Sequence, residues 1–304
     1  MDHKSHGWEE CAIKPYVCAD CPRDCHAERG ETGSGYCRMG ANPVIARAAP
    51  HFDEEPVISG TRGSGAVFFS GCSLRCRFCQ NYSVSHEGFG KQVTVERLRE
   101  IYTELIAQGV HNINLVNPTH FSEAILMSLD PQPSVPVVWN SGGYEKVETL
   151  RRSEGKIQVY LPDLKYVDAD SAQKYSGAGN YFEYAGPALR EMLRQTGPVE
   201  LDKDGIILRG TIVRHLILPG RAEESMRVLD WIAENLPGAW ISLMAQYLPF
   251  GDVQGLDALD RRLLPEEYEA VVDHLLALGL EDGFVQELSS SDEKYIPSVD
   301  LTGV

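Results

Sequence analysis

Three cysteines stand close together in the chain with the spacing C-x3-C-x2-C. Cys72, Cys76 and Cys79 follow a short apolar run, Ala66 to Phe69, and the aromatic Phe78 directly precedes the third cysteine. Three thiolates from one loop can hold three corners of an iron–sulfur cluster, whereas a [4Fe-4S] cluster normally takes four cysteines. The spacing therefore predicts a [4Fe-4S] cluster with one iron open to a further ligand. A three-cysteine zinc loop and buried free thiols are the alternatives.

A second group of cysteines lies within the first 45 residues. Cys18, Cys21 and Cys25 form C-x2-C-P-R-x-C, and Cys37 follows in a glycine-rich stretch that can fold back toward them. Four thiolates would close a tetrahedral zinc site or hold a second iron–sulfur cluster, and the spacing does not choose between them. Unmetallated thiols are the third alternative. The residues that could replace one of the four ligands are Cys11 and His26.

The composition argues against several classes of protein. Asp and Glu number 44 against 28 Lys and Arg, a net charge of −16, and no basic run marks a binder of nucleic acid or anionic membrane. No apolar stretch approaches the ~20 residues of a membrane span. The N-terminus lacks the apolar segment of a signal peptide. We therefore expect a cytoplasmic protein whose eight cysteines are reduced and available as metal ligands.

The motif C-x3-C-x-aromatic-C after a strand resembles the radical S-adenosylmethionine (SAM) superfamily. The following residues, Cys79-Gln80-Asn81-Tyr82, are most similar to relatives of pyruvate formate-lyase activating enzyme, and the N-terminal cysteines resemble a group of uncharacterised members among them. The resemblance implies that the open iron binds the amino and carboxylate groups of SAM. It also implies that an electron from the cluster splits SAM into a 5'-deoxyadenosyl radical, which abstracts a hydrogen atom.

Strands and helices alternate from residue 65 onward. Amphipathic helical patterns such as Val95 to Gln108 separate apolar runs that are typical of buried strands. The predicted strands are Ala66–Phe69, Ile113–Val116, Val135–Trp139, Ile157–Leu161, Thr211–Leu218 and Trp240–Leu243. Such alternation predicts right-handed βαβ units and a parallel sheet. It fits the α/β partial (β/α)6 TIM-type barrel that the resemblance implies, and it fits a doubly wound open sheet equally well.

The predicted organisation has four parts. They are a Cys-rich metal-binding segment at 1–45, a lead-in linker at 46–64, a radical SAM partial barrel at 65–285 and a polar C-terminal tail at 286–304. Within the lead-in, Glu54 and Glu55 stand beside Pro56, a pattern that favours a solvated turn over a contact with substrate.

Polar residues follow the second and third predicted strands, and ligands of parallel α/β folds bind at such strand ends. Asn117 stands where the activating enzymes usually carry Gly-Gly-Glu-Pro, so the SAM amino group must be recognised differently in this chain. Asn140 and Ser141 can hydrogen-bond a carboxylate or a ribose. By resemblance, they belong to a segment that contacts SAM.

The fourth and fifth strands end in charged residues. Asp163 and Lys165 alternate along a strand, so both side chains point to one face and can form an ion pair. The activating enzymes carry a similar Asp-x-Lys near SAM. Arg214 resembles the arginine that faces the cofactor in that family, and it would suit a carboxylate or Asp163. A purely structural ion pair is the alternative.

The resemblance implies that the protein generates a 5'-deoxyadenosyl radical, but it does not identify the substrate from which the radical takes hydrogen. The nearest named relatives abstract hydrogen from a glycine of a partner, which makes an activase of a glycyl-radical enzyme the first hypothesis. The second is a radical SAM enzyme that modifies a small molecule or another peptide. The third is a non-enzymatic iron–sulfur or zinc module. We expect an external electron donor of the flavodoxin or ferredoxin type, and neither nucleic acid nor membrane as a partner.

Overall fold

The structure is a computed structural model that describes residue 13, residues 15–293, residue 296 and residues 298–304. The candidate ligand Cys11 lies outside the described residues. The strands are β1 (Tyr16–Val17), β2 (Glu28–Arg29), β3 (Val44–His51), β4 (Ser64–Phe69), β5 (Lys91–Gln92), β6 (Ile113–Val116), β7 (Val137–Ser141), β8 (Val159–Pro162), β9 (Glu200–Leu201), β10 (Ile207–Leu216), β11 (Trp240–Met244) and β12 (Gly283–Val285). The helices are α1 (Pro56–Ser59), α2 (Tyr82–Ser85), α3 (Val95–Ala107), α4 (Ser122–Ser128), α5 (Val147–Arg152), α6 (Ala169–Ser176), α7 (Tyr181–Thr196), α8 (Ala222–Asn235) and α9 (Pro265–Ala277).

In the described part of the chain, ten strands form one sheet. Its order is β12-β11-β10-β8-β7-β6-β4-β3-β5, and β9 pairs with β10. The strands from β12 to β4 run parallel to one another, whereas β3 is antiparallel to β4 and β5 is antiparallel to β3. The predicted α/β fold with a parallel sheet is thereby confirmed. No pairing among the described residues joins the two outer strands, so the sheet does not close into a full barrel.

The long helices cover the outer face of the sheet. Leu98 of α3, Leu189 of α7 and Val228 of α8 are fully buried in one apolar core with the outward-facing Leu115 and Val213 of the strands. Alternation along each strand leaves the next residue pointing to the inner face. None of the described helices has the length and apolar character needed to span a membrane.

The inner face is covered from below by α1. Val57 and Ile58 of this short helix pack in one apolar cluster with the strand residues Val138, Val159, Leu161, Ile207 and Ile212. Because α1 occupies this part of the inner face, the space that remains lies above it, toward the carboxyl ends of the strands. The residues just before α1 therefore form the floor of that space.

The segment 46–64, predicted as a lead-in linker, is largely regular structure. It contains most of β3 and all of α1. Arg47 and Pro50 interrupt the apolar pattern of β3, and proline is tolerated in strands mainly near sheet edges. The sequence of such a strand does not indicate which strand it pairs with. For this reason the sequence predicts a linker where the structure has a strand.

The C-terminal residues fold back onto β3. Leu301 N donates to Ala46 O at 3.0 Å, and Ala48 N donates to Thr302 O at 2.8 Å. These bonds continue the edge pairing that β5 begins at the other end of β3. The predicted polar tail thus satisfies backbone groups of a sheet edge that would otherwise stay unpaired.

Candidate functional site

A cavity of about 320 Å³ opens at the carboxyl ends of the parallel strands. One wall is the loop after β4, and the other walls are the ends of β6, β7, β8, β10, β11 and β12 together with the residues before α1. The predicted site residues that line it are Cys76, Phe78, Cys79, Asn140, Asp163, Lys165 and Arg214. The structure therefore brings most of the candidates from four separate strand ends to one place.

The cysteine loop begins at a sharp turn that a neighbouring strand end supports. Gly71 has φ of 77°, which favours glycine, and its carbonyl accepts a hydrogen bond of 2.6 Å from Asn117 Nδ2. His120 Nε2 lies 2.7 Å from the carbonyl oxygen of Ser70 in the same turn. Asn117 thus contacts the start of the cysteine loop instead of lining the cavity, where its side chain was expected.

The three cysteine sulfurs of this loop have hydrogen-bond donors around them. Leu74 N lies 3.3 Å from Cys72 Sγ, and Ser176 Oγ donates to Cys76 Sγ at 3.0 Å. Burial and the neighbouring Cys76 raise the pKa of the Cys72 thiol to about 12, and the same two causes raise the pKa of Cys79. Buried thiolates this close together repel one another. A bound metal centre supplies the positive charge that stabilises the thiolate form.

Three cysteines of one loop are a donor set that fits an iron–sulfur cluster, because each thiolate binds a different iron. Cys72, Cys76 and Cys79 would supply three such corners beside the cavity.

Arg214 is the centre of a buried ion network on the opposite wall. Its Nε donates to Asp163 Oδ1 at 2.8 Å, its Nη2 donates to Asn140 Oδ1 at 2.6 Å, and its Nη1 lies 3.4 Å from Glu54 Oε2. Lys165 Nζ completes the network with a 2.5 Å bond to Asp163 Oδ2. The pair predicted from alternation, Asp163 and Lys165, therefore forms.

The network keeps its members charged although all are buried. Burial alone would raise the pKa of Asp163, but Arg214 and Lys165 hold it below its ordinary value. Burial would likewise lower the pKa of Lys165, and Asp163 raises it instead. A cluster of fixed charges and donors at the mouth of a cavity can bind and orient a ligand that carries both an ammonium and a carboxylate.

Two acidic residues that sequence reasoning favoured as a solvated turn lie inside this site. Glu54 Oε1 accepts from Asn114 Nδ2 at 3.2 Å and from Asn140 Nδ2 at 3.1 Å. Glu55 is buried beside Ser242 and lines the same cavity. Desolvation raises the pKa of Glu55 to about 7, and Arg214 opposes the rise. The dipeptide before Pro56 carries no signal for burial, since only the path of α1 beneath the sheet brings it here.

Ser141 is not brought into the cavity. It follows Asn140 directly, and alternation turns it to the outer face of β7, where its Oγ accepts from Gly143 N at 3.3 Å. Its hydroxyl also bonds the buried Glu145. A contact with a ligand in the cavity would therefore come from Asn140 rather than from Ser141.

The N-terminal cysteines form a second cluster of thiols. Burial raises the pKa of the Cys21 thiol to about 12, and the neighbouring Cys18, Cys37 and Cys25 add to the rise. Arg29 is buried among them, with Nη1 at 3.2 Å from Cys37 Sγ and 3.8 Å from Cys18 Sγ. A guanidinium in this position favours thiolates over thiols. These features fit an anionic metal–thiolate centre.

His26 directly follows Cys25 in the chain. Its side chain is exposed, with Nε2 3.7 Å from Asp24 Oδ1.

The N-terminal segment is fastened to the cysteine loop by Arg23. Its Nε donates to Ser73 O at 2.6 Å, and its Nη2 donates to Ser176 O at 2.8 Å and to Leu74 O at 3.3 Å. A Cβ on Gly71 would lie 2.8 Å from the carbonyl oxygen of Cys37. The backbones of the two cysteine sets are therefore in contact, next to Cys72.

Residues 59–155 match a protein family described as a 4Fe-4S single cluster domain. The matched range carries Cys72, Cys76 and Cys79 and the strands β4, β6 and β7. The match confirms the predicted [4Fe-4S] cofactor.

The chain is also similar to one curated protein and to solved structures. It is 29% identical over 266 residues to the uncharacterised protein MJ0674 of Methanocaldococcus jannaschii, covering 84% of this chain and 73% of that protein. Streptococcus suis SuiB bound to S-adenosylmethionine superimposes with a TM-score of 0.51 at 12% identity, over 71% of this chain and 48% of SuiB. Methylornithine synthase, PylB, gives a TM-score of 0.50 at 16% identity, over 79% and 71% of the two chains.

These similarities define the fold. The chain spans about half the length of SuiB. The shared feature is the fold, an α/β architecture with an open parallel sheet. The iron–sulfur family match covers the loop that carries the C-x3-C-x2-C spacing.

Proposed function

We propose that this protein is a radical SAM oxidoreductase whose cluster is held by Cys72, Cys76 and Cys79. The observation that carries the proposal is that Cys76 and Cys79 line the same cavity as the Arg214 network, with Cys72 in the same loop. In SuiB, a protein of similar fold, S-adenosylmethionine is bound. When bound, the cluster would supply the electron that cleaves SAM into methionine and a 5'-deoxyadenosyl radical, which takes a hydrogen atom from the substrate.

Side chains on the cavity wall would position SAM and the substrate for this cleavage. Lys165 and Arg214 present cationic donors suited to a carboxylate, while Asn140 offers an amide between Arg214 and Glu54. Phe78 packs on Tyr247 with ring centroids 6.1 Å apart, which gives the cysteine loop an apolar side. An apolar side beside the fixed charges reduces the number of solvent dipoles that screen them.

The acceptor of the radical has two candidates. The first is a glycine of a glycyl-radical enzyme, and the SuiB complex with its precursor peptide illustrates how a protein of this fold admits a chain. The second is a small molecule or another peptide. The floor of the cavity, formed by Glu54, Glu55 and α1, favours a small molecule, because a peptide loop needs a longer path across the barrel.

Anaerobic reconstitution with iron and sulfide tests the chemistry. We expect wild-type protein to bind a cluster and to form 5'-deoxyadenosine from SAM with dithionite, and Cys76→Ala to lose both. Arg77→Ala is the matched control, since Arg77 lies in the same loop but is paired with Asp252 at the surface. Equal iron binding by the Cys76 variant, or a cluster without 5'-deoxyadenosine, would refute the proposal.

An EPR experiment separates the two acceptors. The reconstituted protein is incubated with SAM, reductant and any glycyl-radical enzyme encoded in the source genome. A glycyl-radical doublet that depends on Cys76 would establish the activase. Its absence, together with deuterium transfer into 5'-deoxyadenosine from a deuterated small molecule, is the outcome expected here. Flavodoxin or ferredoxin replaces dithionite in a parallel reaction to identify the type of physiological donor.

We also propose that Cys18, Cys21, Cys25 and Cys37 hold a second metal centre. The contacts of Arg29 with two of the sulfurs support a centre of bound thiolates. Four thiolates can close a tetrahedral zinc site or hold an iron–sulfur cluster, and metal analysis of the reconstituted protein distinguishes the two.

A further inference from the structure

The floor of the cavity carries a carboxylate that is not neutralised within the described part of the chain. Glu55 is 8% exposed, lines the cavity and precedes α1. Its Oε2 has no hydrogen-bond partner. Leaving a buried acidic oxygen without a hydrogen bond is unfavourable, so such a group is expected where a ligand supplies the missing donor.

Arg214 does not fill this role. Its guanidinium nitrogens already donate to Asp163 and Asn140 and approach Glu54. The attraction between Arg214 and Glu55 is electrostatic and acts over a longer distance, without a hydrogen bond between the two side chains. Ser242 lies beside the carboxylate and can hydrogen-bond it, but a hydroxyl supplies no charge.

A count of formal charges among the buried groups of the cavity leaves Glu55 as the surplus, because Asp53, the remaining acid of the lining, is exposed to solvent. On the buried walls, Lys165 and Arg214 balance Asp163 and Glu54. A [4Fe-4S] core in its 2+ state with three thiolates carries one negative charge, and SAM carries one net positive charge through its sulfonium, ammonium and carboxylate. The two added groups therefore neutralise each other, and the charge of Glu55 remains for a third component.

We propose that Glu55, with Ser242 beside it, is a subsite for a cationic group of the substrate, an ammonium or a guanidinium. The inference deepens the proposed function and rests on it for the identity of the neighbouring ligands. A cation bonded to Glu55 would hold the substrate on the floor of the cavity, opposite the cysteine loop. Substrate recognition thus depends on the segment before α1, outside the motif that marks the cluster.

The test compares a cationic probe with its neutral counterpart. n-Butylammonium and 1-butanol are titrated by ligand-observed NMR into reconstituted, oxidised protein with saturating SAM and no reductant. A charged hydrogen bond predicts that the ammonium binds at least about tenfold more tightly than the alcohol. Glu55→Gln keeps the shape and removes the charge, so it should abolish the difference. Glu148→Gln, an exposed acid on α5, should preserve it.

Three results would overturn the inference: equal affinity for both probes, an unchanged ammonium preference in Glu55→Gln, or an ammonium preference that appears only when SAM is left out of the titration. The last result would assign the carboxylate to SAM itself. If Glu55→Gln does not fold, as judged by its melting curve, Ser242→Ala replaces it and should reduce the preference. Because these titrations involve no SAM cleavage, a wild-type protein that binds the ammonium but forms no 5'-deoxyadenosine would refute only the proposed function.

Discussion

Asp163 is the residue on which the buried charges of the site depend. It accepts from both Arg214 and Lys165, and the side chains of all three are less than a fifth exposed. Removing one member of a buried ion group leaves the partners charged and unpaired. The same carboxylate therefore determines both the stability of this wall and its capacity to orient a ligand.

Asp163→Asn should lower the free energy of unfolding by about 3 kcal/mol, because two buried cations lose their anion. It should also reduce 5'-deoxyadenosine formation. Urea unfolding at pH 7 measures the first effect. Asp168→Asn is the control, since Asp168 pairs with Arg227 at the surface and exposed pairs contribute about 1 kcal/mol or less. Equal losses in the two variants would contradict the central role of Asp163.

Glu145 predicts a pH dependence of stability. It is fully buried, accepts from Thr119 Oγ1 at 2.6 Å and from Trp139 Nε1 at 3.2 Å, and has an unpaired Oε2. Burial raises its pKa from 4.5 to about 7. The folded chain therefore retains this proton when the unfolded chain has lost it, and stability falls as pH rises between these two values.

Glu145→Gln removes this titration. Relative to the wild type, the variant should gain about 3 kcal/mol of unfolding free energy between pH 4.5 and pH 8, as follows from a pKa of about 7 against 4.5. Denaturant unfolding at both pH values measures the change, and the difference between the proteins isolates Glu145 from other groups such as Glu55. A constant difference across this range would show that Glu145 titrates normally.

At the scale of single residues, sequence reasoning works where the information is local. The spacing of Cys72, Cys76 and Cys79 places them in one loop in any fold, and alternation alone pairs Asp163 with Lys165. Glu54 and Glu55 depend instead on the path of a segment across the sheet. Their neighbours in sequence contain nothing that distinguishes a buried floor from a solvated turn.

At the scale of elements, the N-terminal segment and the cysteine loop act on each other through Arg23. Its bonds reach the backbone of residues 73, 74 and 176, and its guanidinium stacks 3.7 Å from the Tyr36 ring centroid. One side chain thus joins two loops that contain metal-ligand candidates. Both loops lack long regular structure, so their positions depend on such contacts.

Arg23→Ala should loosen both loops together. Loss of charged hydrogen bonds lowers the local opening free energy by at least about 2 kcal/mol, which corresponds to about 30-fold faster amide exchange in residues 15–43 and 70–80. Hydrogen–deuterium exchange with mass spectrometry measures the rates. Arg38→Ala, an exposed arginine in the same segment, should leave both regions protected. Faster exchange in only one region would show that Arg23 does not couple them.

Some strands and helices have a clear apolar periodicity in the sequence, and others do not. The strands that alternate with helices are predicted within a few residues, as with Ile113–Val116 and Trp240–Met244. By contrast, the sequence does not predict β3, α1 and β12. Helix α1 and strand β12 are short, whereas β3 is interrupted by polar residues and pairs with β5 out of sequence order. These missed elements form the floor and the edges of the site.

At the scale of the whole molecule, the two cysteine sets lie next to each other, beside the carboxyl end of β4. Gly71, one residue before Cys72, touches the backbone of Cys37, and Arg29 donates both to Cys37 and to the carbonyl of His120 beyond β6. The sequence predicts each set separately, since each is defined by its own spacing. Their contact depends on tertiary packing, and it places the proposed second centre next to the first.

Metal analysis of the whole chain tests both centres at once. Two [4Fe-4S] clusters predict about eight irons per chain after anaerobic reconstitution, and about four in a variant with Cys72, Cys76 and Cys79 replaced by alanine. A variant lacking Cys18 and Cys21 should also retain about four irons and should still cleave SAM with dithionite if the second centre is not the catalytic one. One zinc and about four irons in the wild type would instead identify a structural zinc site. Loss of all iron from either variant would show that the two centres do not assemble independently. In that case the two loops that Arg23 joins fold only when both metal centres are present.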